Sequence, residues 1–210
     1  MSEGLPPGGV EITEAQAAAR WTKAWTPAEV TGRLAGLAAP WCVAGGWALD
    51  DFRGGRSRAH SDLEISVPAA RFPELVACLP GYDFDVVASG RLWSGRSPEL
   101  LELTHQTWLR DPSTGEYLVD VFREPHDGPL WICRRDPSIR LPYTEVVERS
   151  PDGIPYLAPE LVLLFKAKGD RAKDRLDFTA TLPLLDATRR ARLADLLGRA
   201  HPGHPWLAEL

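Results

Sequence analysis

Asp62 and Glu64 stand two apart in the stretch HSDLEISV, residues 60–67, where Leu63, Ile65 and Val67 alternate with them. In an extended strand successive side chains face opposite ways, so Asp62, Glu64 and Ser66 share one face and the three apolar residues the other. Two like charges on one face repel, and burying either alone is costly. A divalent cation cancels that repulsion, and the alternation brings both carboxylates to one side. The competing reading is an exposed strand face whose acids pair with Arg56 or Arg58. A third acid, Asp120, lies in EYLVDVF among Leu118, Val119, Val121 and Phe122. An aspartate inside an apolar strand needs a metal, a partner or hydrogen bonds, unless it sits at an exposed edge.

The elements that position these acids follow from the flanking sequence. WCVAG reads as a short buried strand, and GWALDDF as one or two helical turns, with Gly45 and Gly46 at the junction. Such a junction lets backbone amides approach a phosphate, aided by the positive end of the helix. No Gly-Lys-Ser/Thr follows, so this is not a Walker loop. A Gly-Gly turn alone is commonplace. Followed by a short helix and an acid-x-acid strand, it is the equipment of phosphoryl or nucleotidyl transfer.

The stretch AGGWALDDFRGGRSRAHSDLEISV resembles the opening motif of the antibiotic nucleotidyltransferases of the polymerase-beta-like superfamily. By pattern it is similar to the aminoglycoside 2''-adenylyltransferase-like and lincosamide nucleotidyltransferase-like proteins. The shared elements fall on Gly45, Gly46, Trp47, Arg58, His60, Asp62 and Glu64, and the third carboxylate of such folds matches Asp120. IPYLAPELVLLFKAKGDRAKDRLDF continues the likeness, which spans roughly residues 40–180. One departure stands out: many members have Asp-x-Asp, whereas this chain has Asp62-x-Glu64, whose extra methylene moves the oxygens by about one bond length.

The resemblance implies an α+β fold, a mixed β-sheet flanked by helices with a helical C-terminal part. It implies magnesium held by Asp62, Glu64 and Asp120, ATP or another nucleoside triphosphate as donor, and a small hydroxylated acceptor such as an aminoglycoside or lincosamide. These three acids are the expected catalytic and metal residues, with Asp120 also a candidate for assisting removal of the acceptor's proton. Gly45, Gly46, Arg58, His60, Lys166, Lys168 and Lys173 are the expected nucleotide contacts. For the lysines a solvated helix end is the competing reading. Asp174 and Asp177 are expected to pair with Lys173 or Arg171. Two other functions remain open on the same fold: an AMP-transferase acting on protein, and a non-catalytic nucleotide-binding relative.

Composition sets the frame. The chain has 210 residues, 44% of them hydrophobic, and a formal net charge of -5. That charge argues against broad nucleic-acid binding, which needs a basic surface. No apolar run approaches the ~20 residues of a membrane span, and the acidic, Pro/Gly-rich start lacks a signal-peptide pattern. Cys42, Cys78 and Cys133 are widely spaced among apolar neighbours and read as core thiols, so a cytoplasmic setting is expected. The expected organisation is a flexible tail over residues 1–10, a core over 11–157, and a helical region over 158–210 packed on it. TPAEV predicts a capped helix over residues 26–37, Pro68 the start of another, and LELTHQTWLRD and EYLVDVFRE a hairpin around PSTG. Asp83, Asp85, Glu99 and Glu102 would suit a cationic acceptor. Trp93, Trp108 and Trp131 fit either a substrate cleft or the core, and burial is the simpler reading.

Overall fold

The computed structural model describes residues 4–169 and 171–210. The chain begins with β1 (Val10–Glu11), α1 (Glu14–Ala18), α2 (Pro27–Arg33), β2 (Cys42–Val43) and α3 (Gly45–Arg53). It continues through β3 (Glu64–Pro68), α4 (Phe72–Cys78), β4 (Asp83–Ala88), β5 (Arg91–Trp93), α5 (Pro98–Leu103), β6 (Gln106–Arg110) and β7 (Tyr117–Glu124). Short strands β8 (His126–Asp127), β9 (Leu130–Ile132) and β10 (Arg140–Pro142) follow, then α6 (Tyr143–Val146), β11 (Val147–Arg149) and β12 (Pro155–Leu157). Three helices complete it: α7 (Pro159–Lys166), α8 (Ala172–Thr181) and α9 (Ala187–Ala200). The fold is α+β, and these residues form two compact units.

The first unit takes the chain up to Trp41 together with His60–Glu124. Its strands run in the order β1-β5-β4-β6-β7-β3. Only β3 and β7 pair in parallel, so the sheet is mixed. The apolar side of β3 is fully interior, with Leu63 and Ile65 at 0% exposure. Thr26 caps α2 through the amide of Glu29, while the Glu29 carboxylate accepts from the Thr26 amide. Pro27 occupies the first turn, as the sequence implied, but the helix stops at Arg33, short of residue 37. Glycines at 32 and 36 weaken its continuation.

Two local expectations give way. Pro68 ends β3, and a 3₁₀ turn over Ala69–Arg71 separates it from α4, where Pro73 sits in the first turn. LELTHQTWLRD is not one strand. Ser97 caps α5 by accepting from the Leu100 amide, and Pro98 seeds the helix, so the strand begins at Gln106. The alternation in LEL imitates a strand, but the Ser-Pro start is the stronger local signal.

The second unit combines Cys42–Ala59 with Pro125–Leu210. Here β2 pairs in parallel with β12, and β12 pairs antiparallel with β11, while β10-β9-β8 form a separate small sheet. Helix α7 is interior along most of its length: Leu161, Leu163 and Leu164 have 0% exposure. Its buried Glu160 is held by Arg189 at 2.9 Å and Arg192 at 3.4 Å, both from α9. Phe178 of α8 stacks on Trp206 with centroids 4.1 Å apart. Trp93, Trp108 and Trp131 are core residues of their units, and Cys42 and Cys133 are buried free thiols. Among the described residues no helix is long and apolar enough to cross a membrane.

Candidate functional site

The acidic set is built on the parallel pair β3–β7. Glu64 stands directly opposite Asp120 in the register, so both side chains leave the same face of the sheet. Asp62 lies in the bend just before β3, which begins at Glu64 rather than at Asp62. The ladder nevertheless extends back to this bend, since the Asp120 amide donates to the Leu63 carbonyl at 2.8 Å. Glu64 and Asp62 are partly exposed, whereas Asp120 is 5% exposed.

Asp120 is strongly perturbed by its surroundings. Burial pushes its pKa well above the ordinary carboxylate range, and the negative charges of Glu64 and Asp62 push it further. Gln106 Nε2 donates to Oδ2 at 2.7 Å and opposes the shift. Trp108 Nε1–H, beside it on β6, lowers the pKa slightly without closing a hydrogen bond of ordinary geometry. The other oxygen, Oδ1, is buried with no hydrogen-bond partner. A buried carboxylate oxygen without a donor, facing two further acids, has the chemistry of a hard-cation ligand. Among the described residues no three His, Cys, Asp or Glu side chains converge into a ready-made metal cage. Carboxylate oxygens are nevertheless the donor type that a hard divalent cation such as magnesium takes. Gln106 was not singled out from sequence; nothing but its place two residues from Trp108, the register partner of Asp120, marks it.

The glycine junction belongs to the second unit. Gly45 has φ 60°, a left-handed conformation that L side chains rarely adopt, and it opens α3 directly after β2. No side chain caps this helix start. Its leading amides thus retain the arrangement that suits an oxyanion. At the other end, Asp50 secures the basic turn: it takes Arg53 Nη2 at 2.5 Å, the Ser57 amide at 3.1 Å and Ser57 Oγ at 2.8 Å. Arg56 lies 5.1 Å over the Trp47 ring and donates to the Arg58 carbonyl. The turn that carries Arg58 is therefore held in place by side-chain contacts.

Arg58 and Lys166 meet on one acid of α8. Asp177 takes Arg58 Nη2 at 3.0 Å and Lys166 Nζ at 2.8 Å. Lys166 also approaches Asp174 at 3.4 Å, and Arg171 holds Asp174 at 2.6 Å. The expected Asp174–Arg171 pair is present, while Lys173 is exposed, as is Lys168. His60 is partly buried in the first unit, ahead of Asp62. Asp83 and Asp85, offered above as acceptor contacts, are both clamped by Arg110 at 2.8 Å. Asp85 is 1% exposed and also accepts from the Gly95 amide, so it stabilises β4–β6 instead.

Residues 28–97, which carry the glycine junction and the acid-x-acid strand, match the aminoglycoside-2''-adenylyltransferase family. No curated protein matches the chain in sequence. Among solved structures, the lincosamide antibiotic adenylyltransferase LnuA in its lincomycin-bound form is similar, at 18% identity and TM-score 0.53. The match covers 84% of this chain and 100% of that one. ANT(2'')-Ia in complex with adenylyl-2''-tobramycin gives 14% identity and TM-score 0.53, covering 82% of this chain and 95% of that one. At such identities the structures establish a shared fold, and the family match adds the sequence pattern of the opening motif. The sequence likeness to that family thus lies in residues 28–97, a third of the chain, and the likeness to the two adenylyltransferase structures is one of fold.

Proposed function

We propose that the protein transfers a nucleoside monophosphate, AMP by default, from a nucleoside triphosphate to a hydroxyl group of a small molecule. Aminoglycosides and lincosamides are the first acceptor classes to consider. The observation that carries this reading is the register pairing of Glu64 with Asp120 on neighbouring parallel strands, next to Asp62, within a chain of this fold. Support for the acceptor classes comes from the similar structures, one bound to lincomycin and one to adenylyl-2''-tobramycin.

In this reading Asp62, Glu64 and Asp120 hold magnesium, which when bound offsets phosphate charge and polarises the α-phosphorus. Asp120, held as a carboxylate once a cation is bound, would be the candidate for assisting removal of the proton that the attacking hydroxyl sheds, with metal ligation alone as the alternative. Gly45 and Gly46 present backbone amides to the phosphates, with Arg58, His60, Lys166, Lys168 and Lys173 supplying positive charge or hydrogen bonds.

Incubation with ATP, magnesium and a panel of aminoglycosides and lincosamides, followed by mass spectrometry, tests the proposal. One acceptor class should gain the mass of a single adenylyl group. Asp62→Asn should abolish the product without lowering the melting temperature. An unmodified panel with label on the protein itself would instead indicate protein AMP-transfer. Product formation undiminished in Asp62→Asn would overturn the metal assignment.

A further inference from the structure

The β1 edge of the first unit's sheet holds a cleft that shares no residue with the acidic set. It measures about 390 Å³, within the range of small-molecule sites, and lies between β1, β5 and the end of α1. The register pairs Val10 of β1 with Leu92 of β5, so both side chains leave the same face of the sheet. Ile12 and Ala19 complete the apolar part of the lining. Ile12 and Leu92 also pack on the buried cluster of Val87, Trp108 and Tyr117, which gives the cleft a firm floor.

Three polar side chains meet this lining, and they differ in what holds them. Glu11 is 86% exposed and turns to Arg91 at 3.7 Å. Gln16 is anchored by its carbonyl, since Oε1 accepts from the Thr13 amide at 2.9 Å and from Thr13 Oγ1 at 3.1 Å. That leaves its Nε2 group as a donor. Arg20 lies over the Tyr117 ring, 4.1 Å from its centroid, and its Nε donates to the Gly115 carbonyl at 2.8 Å. These two contacts fix the guanidinium, and no carboxylate pairs with it among the described residues. Burial pushes the Tyr117 hydroxyl up to about 12, so the phenol stays neutral and does not cancel the arginine's charge. A flat cation fixed beside an apolar cleft suits a carboxylate with a hydrocarbon body: the guanidinium fork meets its two oxygens, and the apolar lining takes the remainder out of water. A peptide strand suits it less, because β1 offers only two residues, Val10 and Glu11, as an edge to extend.

We propose that this cleft binds a small carboxylate with an apolar body, its charged end held by Arg20 and Gln16 and its hydrocarbon by Val10, Ile12 and Leu92. The site is independent of the nucleotidyl-transfer reading, whose acids stand on and beside β3 and β7.

Equilibrium titration of the full-length chain with octanoate at neutral pH, beside octanol and acetate, tests the proposal. Octanoate should bind at least about tenfold more tightly than either, because octanol lacks the charge and acetate the hydrocarbon. In two-dimensional proton–nitrogen spectra it should move the signals of the Arg20 Nε–H and the Gln16 side-chain amide. Arg20→Gln should weaken octanoate about tenfold and leave octanol unchanged. Val10→Asp places a negative charge in the lining at a residue 69% exposed, and should weaken octanoate by a similar factor. If Arg20→Gln disturbs folding, the exposed Val10→Asp variant carries the test. Octanol bound as tightly as octanoate, or octanoate affinity unchanged in Arg20→Gln and Val10→Asp, would overturn the proposal. So would octanoate that moves only signals outside the cleft.

Discussion

Gln106 determines how Asp120 is presented, because its amide holds one carboxylate oxygen and leaves the other without a hydrogen bond, open to the cation proposed above. Such supporting groups orient metal ligands, and losing one typically costs about 10–100-fold in metal affinity or activity. Gln106→Leu should therefore raise the magnesium concentration needed for half-maximal transfer by that order, with melting temperature as the control. Asp51, next to the buried Asp50 in α3, presents a different case. Burial first, then the charges of Asp50 and Asp152, raise its pKa to about 6, and Oδ2 has no hydrogen-bond partner. A raised carboxylate pKa means that the folded state binds more protons between about pH 4 and 6, so stability falls as pH rises through that window. The two-unit shift corresponds to at most about 3 kcal/mol, which partial solvent access reduces to about 1 kcal/mol. Asp51→Asn should accordingly raise the melting temperature at pH 8 and leave it unchanged at pH 4. A gain equal at both pH values would contradict the assignment.

At the scale of elements, Gly45 is set apart by its backbone. Gly45 occupies the left-handed region, so its identity is fixed by backbone geometry whatever it binds. Gly45→Ala should cost roughly 1–2 kcal/mol of stability, and Gly45→Asn less, since asparagine tolerates that conformation. Equal losses measured by urea unfolding would show that the conformation is not what selects glycine. The parallel pair β3–β7 is the other decisive element. It turns two acids 56 positions apart in the sequence into register partners. One-residue slippage would send Glu64 to the apolar face, and the fully buried Leu63 and Ile65 hold it against that.

For the whole molecule, much of the α+β character was legible because caps, prolines and alternation are local signals. The Thr26–Glu29 capping box, the hairpin around PSTG and the helices after Pro159 all follow from neighbouring residues. The conflict over residues 98–103 arose where two local signals competed and the cap prevailed. What sequence left hidden is long-range. The junction from Arg58 to Asp177 spans 119 positions, and the Arg110 clamp on Asp83 and Asp85 depends on the pairing of β4 with β6. No spacing rule reaches such contacts. The three acids stood out by type and pattern, whereas the contacts of Gln106 and Asp177 arise only through the neighbours that folding supplies.

The central claim is transfer of a nucleotidyl group, and the position of the phosphorus label tests it most directly. With magnesium and a responsive acceptor, ATP labelled at the α-phosphorus should pass its label to the acceptor, and ATP labelled at the γ-phosphorus should release it as pyrophosphate. Both should cease in Asp120→Asn. Label moving to the acceptor from the γ-phosphorus would mean phosphoryl transfer and would contradict the account.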